Sequence, residues 1–320
     1  MKIPDLLCPT CRQDLEKLSD KLVCNHCRAT FPVSDGVISL FHPATDRDSF
    51  SNKEAMAHDE SAVISAEFMG LSLHYNEKLH TSIHGWISKL LSPGQKILEL
   101  GSGIGRDIVA IAEKDFHNLH ASDVSLKSIR QAQKLAEQKG LEERITFYHL
   151  DGSQSLPFKD KEFDAVFMIA TLHHFKLAAD ALREIKRCCS PGGYIMVFME
   201  PNCLYYRCIR PIAKRIENCF AVFRHTHYRV RSIAEETSKG LSVPLIRELA
   251  NQAGLELVAI QSHWILTGFI YLLQQFSFRI RGKNYPTLLN ALSKMTCKVD
   301  DWLTKKGTSF CWLFSFIFKT

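Results

Sequence analysis

A glycine-rich turn directly behind a short apolar segment constrains the fold of this chain more than any other feature. The segment, residues 96–105, reads KILELGSGIG. The apolar residues around Glu99 predict the end of a buried parallel strand, and those that follow Arg106 predict a helix. Glycines at such a turn let a nucleotide-like ligand approach the bare backbone. Because Arg106 stands where the dinucleotide pattern GxGxxG has its third glycine, the spacing favours an adenosine-type cofactor without a pyrophosphate.

Strand-like apolar segments alternate with helical segments over most of the chain. Strands are predicted at 96–100, 118–123, 145–150, 163–169, 193–199, 256–263 and 308–318, and helices at 61–92, 104–114, 125–139, 176–189 and 243–253. This order predicts an α/β fold, a Rossmann-like parallel sheet with helices on both faces. Ligands of such sheets bind beyond the carboxyl ends of the strands.

Four cysteines near the start of the chain form two CxxC pairs with twelve residues between them. They are Cys8, Cys11, Cys24 and Cys27. Each pair places two thiolates on one side of a tight turn, and two such turns complete a tetrahedron around Zn²⁺. The spacing therefore predicts a zinc ribbon with a structural zinc ion. The other seven cysteines have no framework spacing, which favours reduced thiols.

The pattern divides the chain into a ribbon (residues 1–41), a polar linker (42–60) and one large domain (61–320). Two segments, at about 201–240 and 264–306, interrupt the alternation of strands and helices in that domain. They predict insertions that cap the site. The chain shows no charged leader before an apolar core, and its longest notable apolar run has ten residues. A membrane span needs about 18. We therefore expect a cytoplasmic protein.

The excess positive charge of the chain lies in one segment. The net charge is +6, and residues 201–231 hold seven basic residues against one acid, Glu217. Aromatic residues stand between the basic ones: Tyr205, Tyr206, Phe223 and Tyr228. Four interpretations remain open: contact with nucleic acid, capture of a small anionic substrate, contact with an anionic membrane, and a solvated face without a partner.

Polar and acidic residues follow several predicted strands at the edge where a ligand would bind. Glu99 ends the first strand, and Asp123 ends the second, where a carboxylate can accept hydrogen bonds from both hydroxyls of a ribose. Asp151 and Gly152 follow the third strand, and the acid is placed to face an adenine amino group. A pair of histidines follows the fourth strand.

Six segments in this order resemble class I S-adenosylmethionine-dependent methyltransferases. They are KILELGSGIG, DVS at 123–125, LDGSQSLPF at 150–158, KEFDAV at 161–166, LHHF at 172–175 and KRCCSPGG at 186–193. The resemblance implies a seven-stranded methyltransferase sheet whose last strand is antiparallel, and 308–318 is the candidate for that strand.

The same resemblance implies a set of S-adenosylmethionine-binding residues. Gly101, Ser102 and Gly103 would line the methionine end of the cofactor together with Glu99, and Asp123 would hold the ribose beside Val124. The remaining members would contact the adenine or approach through the main chain: Asp151, Gly152, Met168 and Ile169. Tyr75 is a looser candidate.

The end of the ribbon carries a second resemblance. Residues 31–40 read FPVSDGVISL, which is similar to the "Y-P-I-x-D-G-I-P" pattern of small zinc-ribbon proteins that activate tRNA methyltransferases. Similar modules stand at the front of many bacterial methyltransferases. The resemblance covers the ribbon alone.

The reaction implied is in-line transfer of a methyl group from a sulfonium, for which a hydroxyl acceptor needs a base. His173 and His174 are the nearest candidates, followed by His225 and His227 in the basic segment. The LHH sequence resembles enzymes that act on small molecules, lipids and saccharides, and the aromatic insertions favour a lipid-like or ring-containing acceptor. The alternative is an rRNA or tRNA methyltransferase that binds RNA through the ribbon and the basic segment. Against it, the "[DN]-P-P-[YF]" motif of nucleic-acid amino methyltransferases is absent.

Overall fold

The computed structural model describes residues 4–41, 50–69, 74–211, 215, 232, 237–281, 287–304 and 309–320. Within these ranges eleven strands join into one hydrogen-bonded sheet. The strands are β1 (Leu15–Lys17), β2 (Lys21–Cys24), β3 (Thr30–Ser34), β4 (Val37–Ser39), β5 (Ile97–Leu100), β6 (Leu119–Asp123), β7 (Ile145–His149), β8 (Phe163–Ile169), β9 (Cys189–Pro201), β10 (Glu256–His263) and β11 (Leu313–Lys319).

Seven of these strands form the predicted sheet, in the order β7-β6-β5-β8-β9-β11-β10. The first five pair in parallel, and β11 lies between β9 and β10 and is antiparallel to both. The terminal strand therefore has the position and direction that the sequence predicts. All four residues of β5 are buried, as expected for a strand with both faces covered.

Helices cover both faces of the sheet. They are α1 (Phe50–Met69), α2 (His74–Leu90), α3 (Arg106–Ala112), α4 (Leu126–Gln138), α5 (Ala178–Cys188), α6 (Val243–Ala253), α7 (Thr267–Arg281) and α8 (Thr287–Thr304). One apolar cluster joins α2, α3 and α4 to the sheet, and the other joins α5, α6 and the ribbon to it. The side chain of Ser125 caps α4 by accepting a hydrogen bond from the N–H of Ser128, as the DVS sequence allows.

The ribbon is built into the edge of the sheet. Its last strand, β4, pairs in parallel with β7, with Val37 opposite Phe147 and Ile38 opposite Tyr148. The edge of a sheet offers unpaired N–H and C=O groups, and β4 satisfies them while burying Val37 and Ile38. The pairing extends the seven-stranded sheet that was predicted for the large domain alone.

The predicted linker contains the first part of a helix. The structure begins α1 at Phe50, whereas the sequence places residues up to 60 in a linker. The helix is polar because it lies against polar groups: the hydroxyl of Ser51 donates to Asp151, and Asp59 accepts from Ser125. Residues 42–49 lie outside the described part of the chain.

The two insertions differ in what the structure describes. The second forms a hairpin of α7 and α8, in which the carboxylate of Asp300 accepts hydrogen bonds from the N–H groups of Ile265, Leu266 and Thr267 at 2.9–3.0 Å. The first begins with a π-helical turn, Tyr205–Ile209. Both His225 and His227 lie outside the described residues. Over the described ranges, no helix has the length and apolar character that a membrane span requires.

Candidate cofactor-binding and catalytic site

The glycine turn after β5 leaves open space at one glycine. A Cβ added at Gly103 would meet nothing within 4 Å, and its φ of +53° favours glycine. In contrast, a Cβ at Gly101 would lie 2.5 Å from the Oγ1 of Thr171, and one at Gly105 would lie 2.6 Å from Ala132. Two glycines are therefore required for packing, and Gly103 faces the space in which a cofactor would lie.

Asp123 ties this turn to the end of β6. One carboxylate oxygen accepts a hydrogen bond from the N–H of Gly103, and the other accepts from the N–H of Ser125, each at 2.8 Å. Burial raises the pKa of Asp123, against the opposing effect of His58 and His174. The predicted ribose acid thus lies beside the predicted glycine turn.

Asp151 lies at the same edge after β7. Its carboxylate accepts hydrogen bonds from the hydroxyl of Ser51 at 2.5 Å and from the N–H of Ser153 at 2.9 Å. Gly152 follows it in the turn. Because Ser51 belongs to α1, this helix closes over the position predicted for the adenine.

The other predicted main-chain contacts also lie at the ends of strands. The carbonyl of Val124 accepts from the Nε2 of His149 at 3.2 Å, and the carbonyl of Ile169 accepts from the hydroxyl of Thr171 at 2.9 Å. Met168 is fully buried in β8. The strand order places these positions on either side of β5, at the ends of β6 and β8. Their contact with a cofactor stays a prediction.

Glu99 and Ser102 each hold a buried polar atom without a hydrogen-bond partner among the described residues: Oε2 and Oγ. Burial, together with the carboxylates of Asp107 and Asp123, raises the pKa of Glu99 well above its usual value. A cationic donor such as the ammonium group of a methionine moiety would satisfy both atoms. With the open space at Gly103, the residues present fit S-adenosylmethionine.

A buried network next to Glu99 fixes α3 to α2. Both His80 and His84 approach the same carboxylate oxygen of Asp107, each at 2.7 Å. Burial raises the pKa of Asp107, but the two histidines lower it more, so it lies below its usual value. These distances are shorter than the about 3.3 Å that separates neighbouring ligands of a tetrahedral zinc ion, so hydrogen bonds account for the group. In the sequence, the signal for this group is the spacing of four residues between His80 and His84, which places both on one face of a helix.

His173 is held by a carboxylate that the sequence analysis missed. Glu200, at the end of β9, is fully buried and accepts from the Nδ1 of His173 at 2.9 Å. It also accepts from the N–H groups of three consecutive residues at 2.8–3.0 Å: Thr171, Leu172 and His173. Burial raises the pKa of Glu200, but His173 and these N–H groups lower it more. In the sequence, the signal for Glu200 is its position directly after the predicted strand 193–199.

His174 has a carboxylate partner as well, from α1. Its Nδ1 lies 3.1 Å from the Oε2 of Glu54, which also accepts from the hydroxyl of Ser232 at 2.7 Å. The Nε2 of His58 lies 3.6 Å from the same oxygen. Burial lowers the pKa of His174, and its hydrogen bond to Glu54 only partly offsets this. Glu54 and His58 were not among the predicted site residues, because their segment was predicted to be a linker.

Each histidine therefore has one ring nitrogen assigned to a carboxylate. Donation from Nδ1–H to Glu200 or to Glu54 leaves the Nε2 of that ring with a lone pair. A neutral imidazole oriented in this way is able to accept a proton. The two histidine rings lie next to each other, with centroids 4.2 Å apart.

The four ribbon cysteines form a second candidate site. The Sγ atoms of Cys8 and Cys27 are 3.5 Å apart, those of Cys11 and Cys24 are 3.4 Å apart, and all four lie within 4.8 Å of one another. Sulfur atoms bound to zinc at about 2.3 Å are about 3.8 Å apart in a tetrahedron. The residues after the two pairs, Arg12 and Arg28, have φ of 61° and 65°, so the two turns share one geometry. The thiols fit a zinc ion.

Tyr75, the remaining candidate, lies in α2. Its ring packs edge-on against Trp264 and Tyr271, at the base of the helical hairpin. Its contact with the cofactor stays a prediction. Its position in α2 faces the second insertion.

Two family models match this chain. Residues 98–197 match the model described as "Methyltransferase domain", and residues 6–36 match the model described as "Trm112p-like protein". Both matches confirm the resemblances seen in the sequence.

Similar proteins cover part of the chain. Methyltransferase GfsG of Streptomyces halstedii is 29% identical over 107 residues, which are 33% of this chain and 38% of that protein. A sterol 24-C-methyltransferase of Gibberella zeae is 30% identical over 110 residues, 34% of this chain and 28% of that protein. The match thus spans about a third of these relatives.

A solved structure, assigned as a sarcosine dimethylglycine methyltransferase from Galdieria sulphuraria, has the same fold. It has a TM-score of 0.56 and 16% identity, and the match covers 82% of this chain and 98% of that one.

Proposed function

The chain carries a methyltransferase domain at residues 98–197, and from that premise we propose that it transfers a methyl group from S-adenosylmethionine to a small-molecule acceptor. The observation that carries the proposal is the position of two carboxylate-bound histidines at the same sheet edge as Gly103 and Asp123. Gly103 and Asp123 would hold the cofactor, and the histidines would receive the proton of the acceptor.

When bound, S-adenosylmethionine supplies an electrophilic methyl group on its sulfonium. The chain's own residues would bind the cofactor and orient it. Gly103 provides the approach to the backbone, Asp123 would accept hydrogen bonds from the ribose, and Glu99 would balance the ammonium group. Holding cofactor and acceptor in line lowers the barrier to methyl transfer.

His174 is our candidate base. Its lowered pKa keeps the ring neutral near pH 7, and Glu54 fixes the tautomer that presents the Nε2 lone pair. Ser232, which lies in the first insertion (about 201–240), donates to the same Glu54 oxygen. This contact of Ser232 supports the proposal that the first insertion takes part in the site.

Three observations support a small or lipid-linked acceptor over RNA. The strand-four loop reads LHH and lacks the motif of nucleic-acid amino methyltransferases. The names of the relatives support it too, since one methylates a sterol. The second insertion also exposes apolar and aromatic side chains beside the domain.

We propose further that the ribbon binds one structural zinc ion through its four cysteines, in a protein of the cytoplasm. The sulfur positions and the match to Trm112p-like proteins support the zinc site. The same match favours a second candidate function, methylation of rRNA or tRNA, in which the ribbon and the basic segment bind the nucleic acid.

The test of the function is methyl transfer from labelled cofactor to cell extracts fractionated into polar metabolites, lipids and RNA. We expect label in the metabolite or lipid fraction, and His174→Ala and Glu54→Gln should lower it at least about 100-fold, the ordinary contribution of a general base. Calorimetry should show that both variants still bind S-adenosylmethionine. His117→Ala is the matched control, since this histidine is exposed and bonds only a nearby carbonyl among the described residues.

The pH profile separates a base from a packing role. With His174 as the base, activity falls as the pH drops below the usual histidine value of about 6.5, because the ring becomes protonated. Label in RNA alone would support the second candidate. Full activity of His174→Ala at every pH would remove the proposed base.

A further inference from the structure

The second insertion exposes its most apolar stripe to solvent. On α8 the outward residues at intervals of three or four are Leu288, Ala291, Met295, Val299 and Trp302. They fall within about 80° of the helix circumference. Leu288 is 65% exposed, Met295 58% and Trp302 68%. We call these five residues the α8 stripe.

The opposite face of α8 already holds the helix in place, and it is the more polar one. Its buried residues are Leu289, Ser293, Thr296, Cys297 and Asp300, three of which are polar. The hydroxyl of Ser293 accepts from the N–H of Tyr75 at 3.0 Å, and Asp300 caps α7. An amphipathic helix of a globular domain normally buries its apolar face. Here several large apolar residues, Met295 and Trp302 among them, are left outside as well, which indicates a surface used for binding.

Exposed apolar residues concentrate around this hairpin. Of the fourteen large apolar residues exposed in the described part of the chain, eight lie between 266 and 310. Three of them, Leu266, Phe269 and Leu273, stand at intervals of three and four in and before α7. Exposed apolar side chains therefore occur on both helices of the hairpin.

The composition of the second insertion, with the two lysines described beside the stripe, favours one partner. Residues 264–306 contain seven basic and two acidic residues. Of the two acids, Asp300 is buried and Asp301 pairs with Lys78. Lys294 and Lys298 are exposed on the stripe's flank. A second copy of this chain would bring two basic faces together, whereas an anionic lipid surface would attract the lysines.

We propose that the α8 stripe docks in the interfacial layer of a bilayer that contains anionic phospholipids. Residues 288–302 span about 21 Å of helix, so the helix would lie flat, with its lysines among the phosphates and Trp302 at the acyl boundary. The docking does not depend on the methyl-transfer function.

The test uses the full chain, zinc-loaded, with vesicles of phosphatidylcholine alone or with about 30% phosphatidylglycerol, in a sedimentation assay. We expect binding to the anionic vesicles that falls with salt. The double substitution Met295→Ser with Trp302→Ser should weaken it at least about ten-fold, because two apolar side chains no longer leave water. Both residues are exposed, so folding should be unchanged. Lys294→Glu with Lys298→Glu should remove the preference for anionic lipid.

Leu177→Ser is the matched control, because Leu177 is 63% exposed and lies at the start of α5, outside the hairpin. It should bind vesicles like the parent chain. Failure of the parent chain to bind, or equal binding by the stripe variant, would overturn the proposal. So would a concentration-dependent dimer, seen by light scattering, that only the stripe variant loses while vesicles stay unbound.

Discussion

Replacing Glu200 by alanine would remove the acceptor of four hydrogen bonds that shape the loop after β8. The carboxylate is 0% exposed and receives three backbone N–H groups and the Nδ1 of His173. The variant leaves these four donors buried without their acceptor. We therefore expect both a loss of stability and a loss of the order that positions His173 and His174.

The size of the stability loss follows from the hydrogen bonds that Glu200 accepts. Hydrogen bonds to a charged group contribute about 1.5–3 kcal/mol each, and removing one partner of a buried pair costs about 3–5 kcal/mol in total. We expect Glu200→Ala to lower the free energy of unfolding by about 4 kcal/mol. Glu200→Gln keeps the oxygen that serves Thr171 and Leu172 but sets an amide NH₂ against the donors of His173, so about half that loss is expected.

Urea unfolding of the zinc-loaded protein, followed by tryptophan fluorescence and circular dichroism, measures these losses. Glu113→Ala is the control, since this exposed carboxylate pairs with Lys139 on the surface and should change stability by less than about 0.5 kcal/mol. A loss below about 1 kcal/mol for Glu200→Ala, at an unchanged urea slope, would refute the account.

The pH dependence gives a second check. Because the pKa of Glu200 is lowered on folding, the unfolded chain binds the proton more readily as the pH falls. The stability that Glu200 contributes is therefore fully present above the ordinary glutamate value of about 4.3 and disappears as the pH falls through the lowered value. The difference between the parent chain and Glu200→Gln should shrink over that acidic range.

Three further measurements test the cofactor and metal sites. Asp123→Ala should weaken S-adenosylmethionine binding about 10- to 150-fold by calorimetry, with Asp180→Ala, a surface change, as control; an unchanged dissociation constant would place the ribose elsewhere. Burial and the nearby carboxylates raise the pKa of Glu99, and a bound cationic cofactor should lower it again, so binding should release protons at a pH between the two values; the heat of binding there should depend on the buffer's ionisation enthalpy in the parent chain and not in Glu99→Gln. Metal analysis should find one zinc per chain, lost in Cys24→Ser but retained in Cys208→Ser, because Cys208 is exposed and outside the ribbon.

The central sheet was predictable because its signals are local. The strand Phe163–Ile169 has the same bounds in sequence and structure, and helix α6 and strand β10 also match. Each is a short apolar or periodic segment bounded by turn residues, so its own sequence determines its conformation. The glycine turn and the acids at the strand ends follow from the same pattern.

The partners of the catalytic candidates were not predictable in this way, because they depend on tertiary contacts. Glu54 lies in a segment that is rich in polar residues, and such composition favours a linker unless the partner surface is itself polar. The pairing of β4 with β7 likewise depends on an unpaired sheet edge more than 100 residues away in sequence. Periodicity reports burial against apolar surface, and it gives no signal for a helix that packs on carboxylates and imidazoles.

The polar character of α1 links cofactor binding to the proposed base. Ser51 bonds Asp151 at the predicted adenine position, Glu54 bonds His174, and Asp59 bonds Ser125 beside the predicted ribose acid. These contacts lie three to five residues apart along one helix, so α1 makes all of them in a single position relative to the sheet. A cofactor that takes over the carboxylate of Asp151 from Ser51 would shift the helix end and, through it, the hydrogen bond that orients His174. Binding of the methyl donor and orientation of the base would then depend on the same helix.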